Sequence, residues 1–305
     1  MAEIAARSKQ TRGKTVSKPV RFAAPRGSWP TVVACGVAAA ALVAAYWPAL
    51  SFWWTTWFEK DSFYSHGPFV PVASAFIIWA NHKRLRGLTP SPSKWGYALM
   101  VAAMFCGWLA WMGASASVMG FTLPVFLFGC VVATLGFPAA RLMAFPLFLL
   151  WFAAPPPESL LTGLSLRVQL LSIRAAAAGL DFLGIGAASR GTFIDTPALT
   201  LEVGSACSGY RLVVSMLAIA AFFAYVRRGP GWSKPSLVAF ALPLSLAANS
   251  VRIVTIAIVG QFWGAPGVTA AHNLTGYMML VTTAGLLLLF ARMVGCARYK
   301  EIPLA

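Results

Sequence analysis

The sequence predicts an all-α polytopic membrane protein of about eight transmembrane helices, with an extracytoplasmic amphipathic helix and a short β-hairpin between spans five and six. Three observations predict it. Apolar residues make up 59% of the 305-residue chain, charged residues only 10%, and mean hydropathy is +0.73. A soluble domain carries about 25% charge, and the same arithmetic excludes disorder for most of the chain. The apolar residues also gather in runs near the bilayer-crossing length of about 17–25 residues. Finally, the basic residues, which bring the net charge to +16, concentrate on one side of those runs.

Residues 1–30 contain no apolar run and carry Arg7, Lys9, Arg12, Lys14, Lys18, Arg21 and Arg26. The stretch is too polar for the centre of a signal peptide and reads as a basic cytoplasmic tail. The transmembrane domain is expected over 31–295, with spans at 31–50, 66–81, 95–113, 117–136, 138–154, 210–226, 236–259 and 274–294. Gly136-Phe-Pro138 marks a tight turn between the fourth and fifth. Residues 155–209 form the longest insertion. It opens with Pro155-Pro-Pro-Glu158, a suitable helix start. Leu160, Leu161, Leu164, Val168, Leu171 and Ile173 then recur near helical spacing, with Arg167 and Arg174 between them. That pattern predicts an amphipathic helix lying in the membrane interface. Residues 190–195 and 198–203 flank Thr-Pro and predict the hairpin. Residues 296–305 form a second short cytoplasmic tail.

With eight spans and both termini inside, the cytoplasmic segments hold the tail residues together with Lys83, Arg84, Arg86, Lys94, Arg141, Arg227, Arg228, Lys234, Arg292, Arg298 and Lys300, 18 of the 24 basic residues. Five fall outside: Lys60, Arg167, Arg174, Arg190 and Arg211. This is a positive-inside bias. A nucleic-acid surface is excluded on the same distribution, because the basic residues flank spans and no recognition element is present.

Polar groups in or beside the spans carry the functional information. Of five cysteines (35, 106, 130, 207 and 296), four sit within or at the ends of apolar spans, where Cys behaves as a small hydrophobe. Cys207 stands at the outer start of the sixth span, where a helix N-terminus favours a thiolate. Ser208 follows it directly. Tyr210 and Arg211 lie at i+3 and i+4, so they share its helical face. Arg252 lies inside the seventh span and needs a partner, a cavity or a route to the interface. With Asn249 and Ser245 it makes a polar stripe on one helix face. His272 falls in the loop before the eighth span, and His66 at the outer end of the second. Each alone has an ordinary structural explanation: a packed Cys, a snorkelling Arg, a loop His. Together, topology places a thiol, an imidazole and a guanidinium at one outer face, the set that acyl transfer requires. Two rivals remain at this point. Arg252 and its stripe could line an anionic pathway in a transporter or polymer exporter, and Cys207, His272 and His66 have metal-ligand chemistry without a compact ligand motif. No metal and no cofactor is expected.

Tyr64-Ser-His-Gly67, Ala206-Cys-Ser-Gly209, Asn249-Ser-Val-Arg252 and His272, in this order around the spans, resemble the exosortase/archaeosortase family of membrane cysteine transpeptidases over about residues 50–295. The resemblance implies a protease or transpeptidase of the bacterial inner membrane, with its active site on the periplasmic side. Its partners would be membrane-anchored proteins bearing a C-terminal sorting signal: a short motif such as Pro-Glu-Pro, a transmembrane helix and a basic tail. It implies Cys207 as nucleophile and Arg252 and His272 as its catalytic partners. Cleavage would give an acyl-enzyme passed to water or to an acceptor, and such activity is linked to exopolysaccharide surfaces. His66, Asn249, Ser208, Tyr210 and Arg211 are supporting or substrate-binding candidates.

Overall fold

The computed structural model describes residues 29–60, 62–204, 207–296 and 298–299, so nearly all of the expected N-terminal tail and most of the C-terminal one lie outside the described residues. The chain is mainly helical. α1 (Trp29–Ala45) and α2 (Trp47–Phe58) meet at a bend of 67°, with Pro48 in the first turn of the second. Pro suits that position because its missing N–H has no partner there in any case. α3 (Phe69–Ala80), the short α4 (His82–Arg86), α5 (Lys94–Met112), α6 (Ala116–Thr134) and α7 (Phe137–Leu149) follow, and α7 continues as a 3₁₀ turn, Leu150–Ala153. Next come α8 (Glu158–Phe182) and three short strands, β1 (Ala188–Arg190), β2 (Phe193–Asp195) and β3 (Thr200–Glu202). α9 (Tyr210–Val226), β4 (Arg227–Arg228), α10 (Ser233–Met293) and β5 (Arg298–Tyr299) complete the fold.

All eight expected apolar runs fall on helices, but their lengths differ from expectation. Among the described residues α5, α6, α8 and α10 are long and apolar enough to cross a membrane, and the bent α1–α2 pair makes a fifth if it is one span. Phe69–Ala80, Phe137–Ala153 and Tyr210–Val226 are shorter apolar helices. At 1.5 Å per residue, a 12-residue helix is about 18 Å long and a 17-residue one about 25 Å, against a hydrocarbon core of about 30 Å.

One element was expected otherwise. The seventh and eighth spans lie on one helix, α10, interrupted at Gly264 (φ 61°, ψ −153°). The interruption separates a first arm, 233–263, from a second, 265–293. Helix α8 forms as expected. Ser165, Gln169, Ser172, Ile173, Ala176, Ala177 and Leu180 are buried, while Leu160, Leu164 and Leu171 are exposed. A largely small and polar side packs on protein and these three leucines face outward, the pattern of a helix bordered by lipid. The same holds for α5, whose Trp95, Val101, Phe105, Trp108 and Trp111 are all exposed. An apolar surface of this extent suits a bilayer and not water.

Three packed clusters position the site. Trp53, Ile77, Leu123 and Leu149 join α2, α3, α6 and α7. Ile173, Leu180, Ile194 and Ile253 join α8, the sheet and the first arm of α10. Met216, Leu237 and Leu287 join α9 to both arms of α10. The expected hairpin is present as β2–β3, with Ile194 opposite Leu201, and β1 adds a third strand on the far side of β2. At the other end of α9, β4 pairs with β5; the Arg227 guanidinium donates to the Cys296 carbonyl at 2.8 Å, and Ser233 Oγ lies 2.9 Å from Cys296 Sγ.

Candidate active site

Cys207 does not belong to α9. It lies in a 3₁₀ turn closed by its own N–H donating to the Gly204 carbonyl at 2.9 Å. Gly209, at φ 78°, then turns the chain into the helix that begins at Tyr210. The i+3 and i+4 relation expected between Cys207 and Tyr210 or Arg211 therefore does not apply, because a left-handed residue interrupts the register. Glycine is required at 209 on two grounds. An L side chain is strained at that φ, and a Cβ there would lie 2.6 Å from both Cγ and Nδ2 of Asn249.

His272 is likewise not in a loop. It sits on the second arm of α10, two turns past Gly264. The helix continues through Pro266 because that residue falls in the first turn after the break, where Pro is tolerated. The consequence is a direct contact: Cys207 Sγ lies 3.0 Å from His272 Nδ1.

The polar stripe on the first arm of α10 holds both reactive segments. Asn249, 1% exposed, donates from Nδ2 to the Cys207 carbonyl at 3.2 Å. Three residues on, Arg252 donates from Nη2 to the His272 carbonyl at 3.2 Å and from Nε to Thr275 Oγ1 at 3.3 Å. Thr275 Oγ1 in turn donates to the Ala271 carbonyl at 2.6 Å. Ser245 completes the stripe but only bonds its own helix, at the Ala241 carbonyl. Residues at i and i+3 share a helix face, so one face of α10 grips the cysteine turn and the histidine turn together.

The remaining candidates surround this core. Ser208 is buried, and its Oγ accepts from the Tyr210 N–H at 3.3 Å, satisfying one of the open donors at the start of α9. Tyr210 packs edge-on against Phe63, with ring centroids 5.6 Å apart. His66 lies in the turn before α3. Its Nε2 is 3.2 Å from the Phe152 carbonyl, an acceptor, so Nε2 carries the hydrogen and Nδ1 carries a lone pair. Burial pushes the His66 pKa down to about 4, which keeps the ring neutral. Its Nδ1 is buried and has no hydrogen-bond partner among the described residues. The His-Gly pair is pressed against Trp57: a Cβ at Gly67 would lie 2.1 Å from Trp57 Nε1, and that nitrogen donates to the Ala153 carbonyl at 2.9 Å.

A cavity of about 930 Å³ opens beside these groups. Near the start of α9 its wall carries His66, Arg211, Asn249, Arg252 and His272. Further along α9 and the second arm of α10 the wall is apolar, with Phe222, Phe223, Met279 and Leu288. From Arg211 to Phe222 the helix rises about 16 Å. A second cavity, of about 110 Å³, is lined by both Cys207 and His272, of which only His272 lines the first. Among the described residues no three His, Cys, Asp or Glu side chains stand close enough to share a metal ion.

Thr275 and Trp57 were not anticipated. The spacing of Thr275 to His272, i and i+3, is a legible signal only once the segment is known to be helical. Nothing in the spacing around Trp57 separates it from the other aromatic residues of α2. The family model described as transmembrane exosortase matches residues 53–289, a range that contains every group of the site. No curated protein and no solved structure matches the chain.

Proposed function

The chain belongs to the transmembrane exosortase family, and from that premise we propose that it is a membrane cysteine peptidase or transpeptidase with Cys207 as nucleophile and His272 as general acid and base. The observation that carries the proposal is the 3.0 Å contact between Cys207 Sγ and His272 Nδ1. At that distance the imidazole accepts the thiol proton directly. The thiolate attacks the scissile carbonyl, and the carbonyl electron pair moves to oxygen. Arg252 holds the His272 turn through the His272 carbonyl and Thr275 and also lines the larger cavity; in this reading its guanidinium stabilises the developing oxyanion. The tetrahedral intermediate collapses, the C–N bond breaks, and the His272 imidazolium gives its proton to the leaving amine. A thioester on Cys207 remains. Water or an acceptor amine, deprotonated by His272, then attacks it and releases the thiol.

The substrate in this reading is an exported protein held in the bilayer by a C-terminal sorting signal. The long apolar wall of the 930 Å³ cavity suits an apolar segment next to the scissile bond, and the His66 Nδ1 lone pair offers an acceptor to an N–H of that segment. Anchoring beside the enzyme confines the substrate to two dimensions and raises its effective concentration. In this reading both termini are cytoplasmic and the site faces the periplasm from a bacterial inner membrane, an orientation that the positive-inside bias over eight expected spans supports. An export pathway through Arg252 would not require a thiol in contact with an imidazole.

The test is co-expression with a tagged substrate bearing a sorting signal, followed by mass spectrometry of Cys207. Processing and a Cys207-linked acyl adduct are expected from the wild-type chain, and neither from Cys207→Ala, with both proteins retained in the membrane. Normal processing by Cys207→Ala would show that the nucleophile is another group.

A further inference from the structure

The small cavity is bounded by the reactive pair on one side and by a sheet edge on the other. β3 is the last strand in the order β1–β2–β3, so one edge pairs with β2 and no strand lies along the other among the described residues. In an antiparallel ladder the bonding groups alternate from side to side along each strand. The Val203 N–H donates to the Thr192 carbonyl, and the Thr196 N–H donates to the Leu199 carbonyl, each at 2.9 Å. These bonds turn the backbone groups of 199, 201 and 203 toward β2. The N–H and C=O of Thr200 and Glu202 therefore point to the open edge. The 110 Å³ cavity is lined by Leu201–Gly204 together with Cys207, His272 and the apolar side chains of Ile253, Ile256 and Val268. Its volume is that of about four waters in the liquid, or one small apolar side chain.

We infer that the open edge of β3 is a substrate-recognition edge. The extended segment of the protein substrate that flanks the scissile bond docks there as a fourth strand, bonded to the backbone of Thr200 and Glu202, with one small apolar side chain in the 110 Å³ pocket. The occupant is an extended peptide because the edge and both reactive groups border one cavity. A strand added at this edge is delivered to the Cys207 turn, a few residues further along the chain. Main-chain bonds would give affinity, and the pocket would give the side-chain preference, as in other cases of strand addition. The inference rests on Cys207 being the nucleophile.

The test uses the full chain in lipid nanodiscs, a membrane-anchored substrate, and two proline substitutions. Glu202→Pro removes an N–H that faces the open edge and leaves the bonds to β2 intact. Ser189→Pro removes the matching outward N–H on β1, the opposite edge, since Ser189 pairs with Ile194, whose backbone bonds face β3. Glu202→Pro is expected to raise KM about tenfold, the effect of leaving one desolvated backbone group without its partner, and by much more than Glu202→Ala does. Alkylation of Cys207 by iodoacetamide should stay within twofold of wild type, and Ser189→Pro should keep wild-type kinetics. A scan of the substrate backbone with amide-to-ester replacements should lower kcat/KM at alternate positions only. That periodicity decides the matter even if Glu202→Pro misfolds. An unchanged KM in Glu202→Pro, or an ester scan without alternation, overturns the inference. So does a change of oligomeric mass in Glu202→Pro at constant KM, which would make the edge a contact between copies. If the wild-type chain forms no acyl adduct on Cys207, the nucleophile assignment fails instead.

Discussion

Replacing Gly209 with Ala tests the proposed clamp in a way that a simple loss of activity does not. The new Cβ meets two separate penalties. At φ 78° an L residue costs about 1–2 kcal/mol. The Cβ also falls 2.6 Å from Cγ and Nδ2 of the buried Asn249, so that side chain must move and release the Cys207 carbonyl, which costs about 1–3 kcal/mol when the carbonyl stays buried. The single variant should therefore lose about 2–5 kcal/mol. At about 2 °C per kcal/mol for a chain of this size, its melting temperature in detergent should fall by about 4–10 °C. Asn249→Ala alone should lose about 1–3 kcal/mol for the same orphaned carbonyl. In the double variant Cγ and Nδ2 are gone, so the two closest overlaps disappear, only the Cβ of residue 249 stays near at 3.0 Å, and the lost bond counts once. The two costs should then fall short of additivity by about 1–3 kcal/mol. The measurements are thermal unfolding of all four forms and the rate of Cys207 alkylation, which should drop in both single variants. Full additivity, or a Gly209→Ala melting temperature within 1 °C of wild type, would refute the clamp.

The other predictions are these. Arg252→Lys keeps the charge but cannot hold the His272 carbonyl and Thr275 together, so kcat should fall at least tenfold in the processing assay; Thr275→Val removes one of the two contacts and should fall less. His272→Ala should abolish processing and slow Cys207 alkylation at neutral pH, measured by mass spectrometry, because the thiol loses its proton acceptor. His66 has a folded pKa of about 4 against an ordinary 6.5, so the unfolded chain binds the proton first. Its contribution to stability is present above pH about 6.5, declines as pH falls, and is lost by pH about 4, a total of about 3 kcal/mol. Unfolding followed across that window should show the slope in the wild-type chain and a flatter curve in His66→Phe.

The parts of the fold that depend on local composition were legible, and those that depend on neighbours were not. The apolar runs became helices, and Thr196-Pro197 became the turn of the β2–β3 hairpin. The segment between the seventh and eighth expected spans, which holds Gly264, Pro266, Gly267 and His272, reads as a loop from the sequence. Only Gly264 leaves helical geometry, and the rest were tolerated by position. The leucines of α8 matched an amphipathic pattern, and Leu160, Leu164 and Leu171 are exposed from the protein as a face turned to lipid requires, while Ile173 of the same set is buried. At the site, Cys207, Arg252, His272 and Asn249 were found as residue types near one face. What joins them could not be read from spacing, because Gly209 breaks the register before α9 and the partner carbonyls belong to the backbone of distant segments. Trp57, beneath the His-Gly turn, gave no signal at all.

Besides the Arg252 bond to Thr275 Oγ1, the α10 stripe makes two long-range bonds, and both end on main-chain oxygen atoms: that of Cys207 for Asn249 and that of His272 for Arg252. Neither touches the sulfur or the ring. Anchorage and chemistry are thereby assigned to different atoms of the same two residues. In the proposed cycle the sulfur must swing from thiol to thioester and back, and the imidazole must turn from sulfur to the departing nitrogen and then to the incoming nucleophile. Rotation about χ1 and χ2 supplies those movements while the Cα positions stay fixed. Through that proposed cycle the chain would pass through several side-chain poses without reopening its helix packing, and the slow motions of a membrane bundle need not be coupled to each proton transfer.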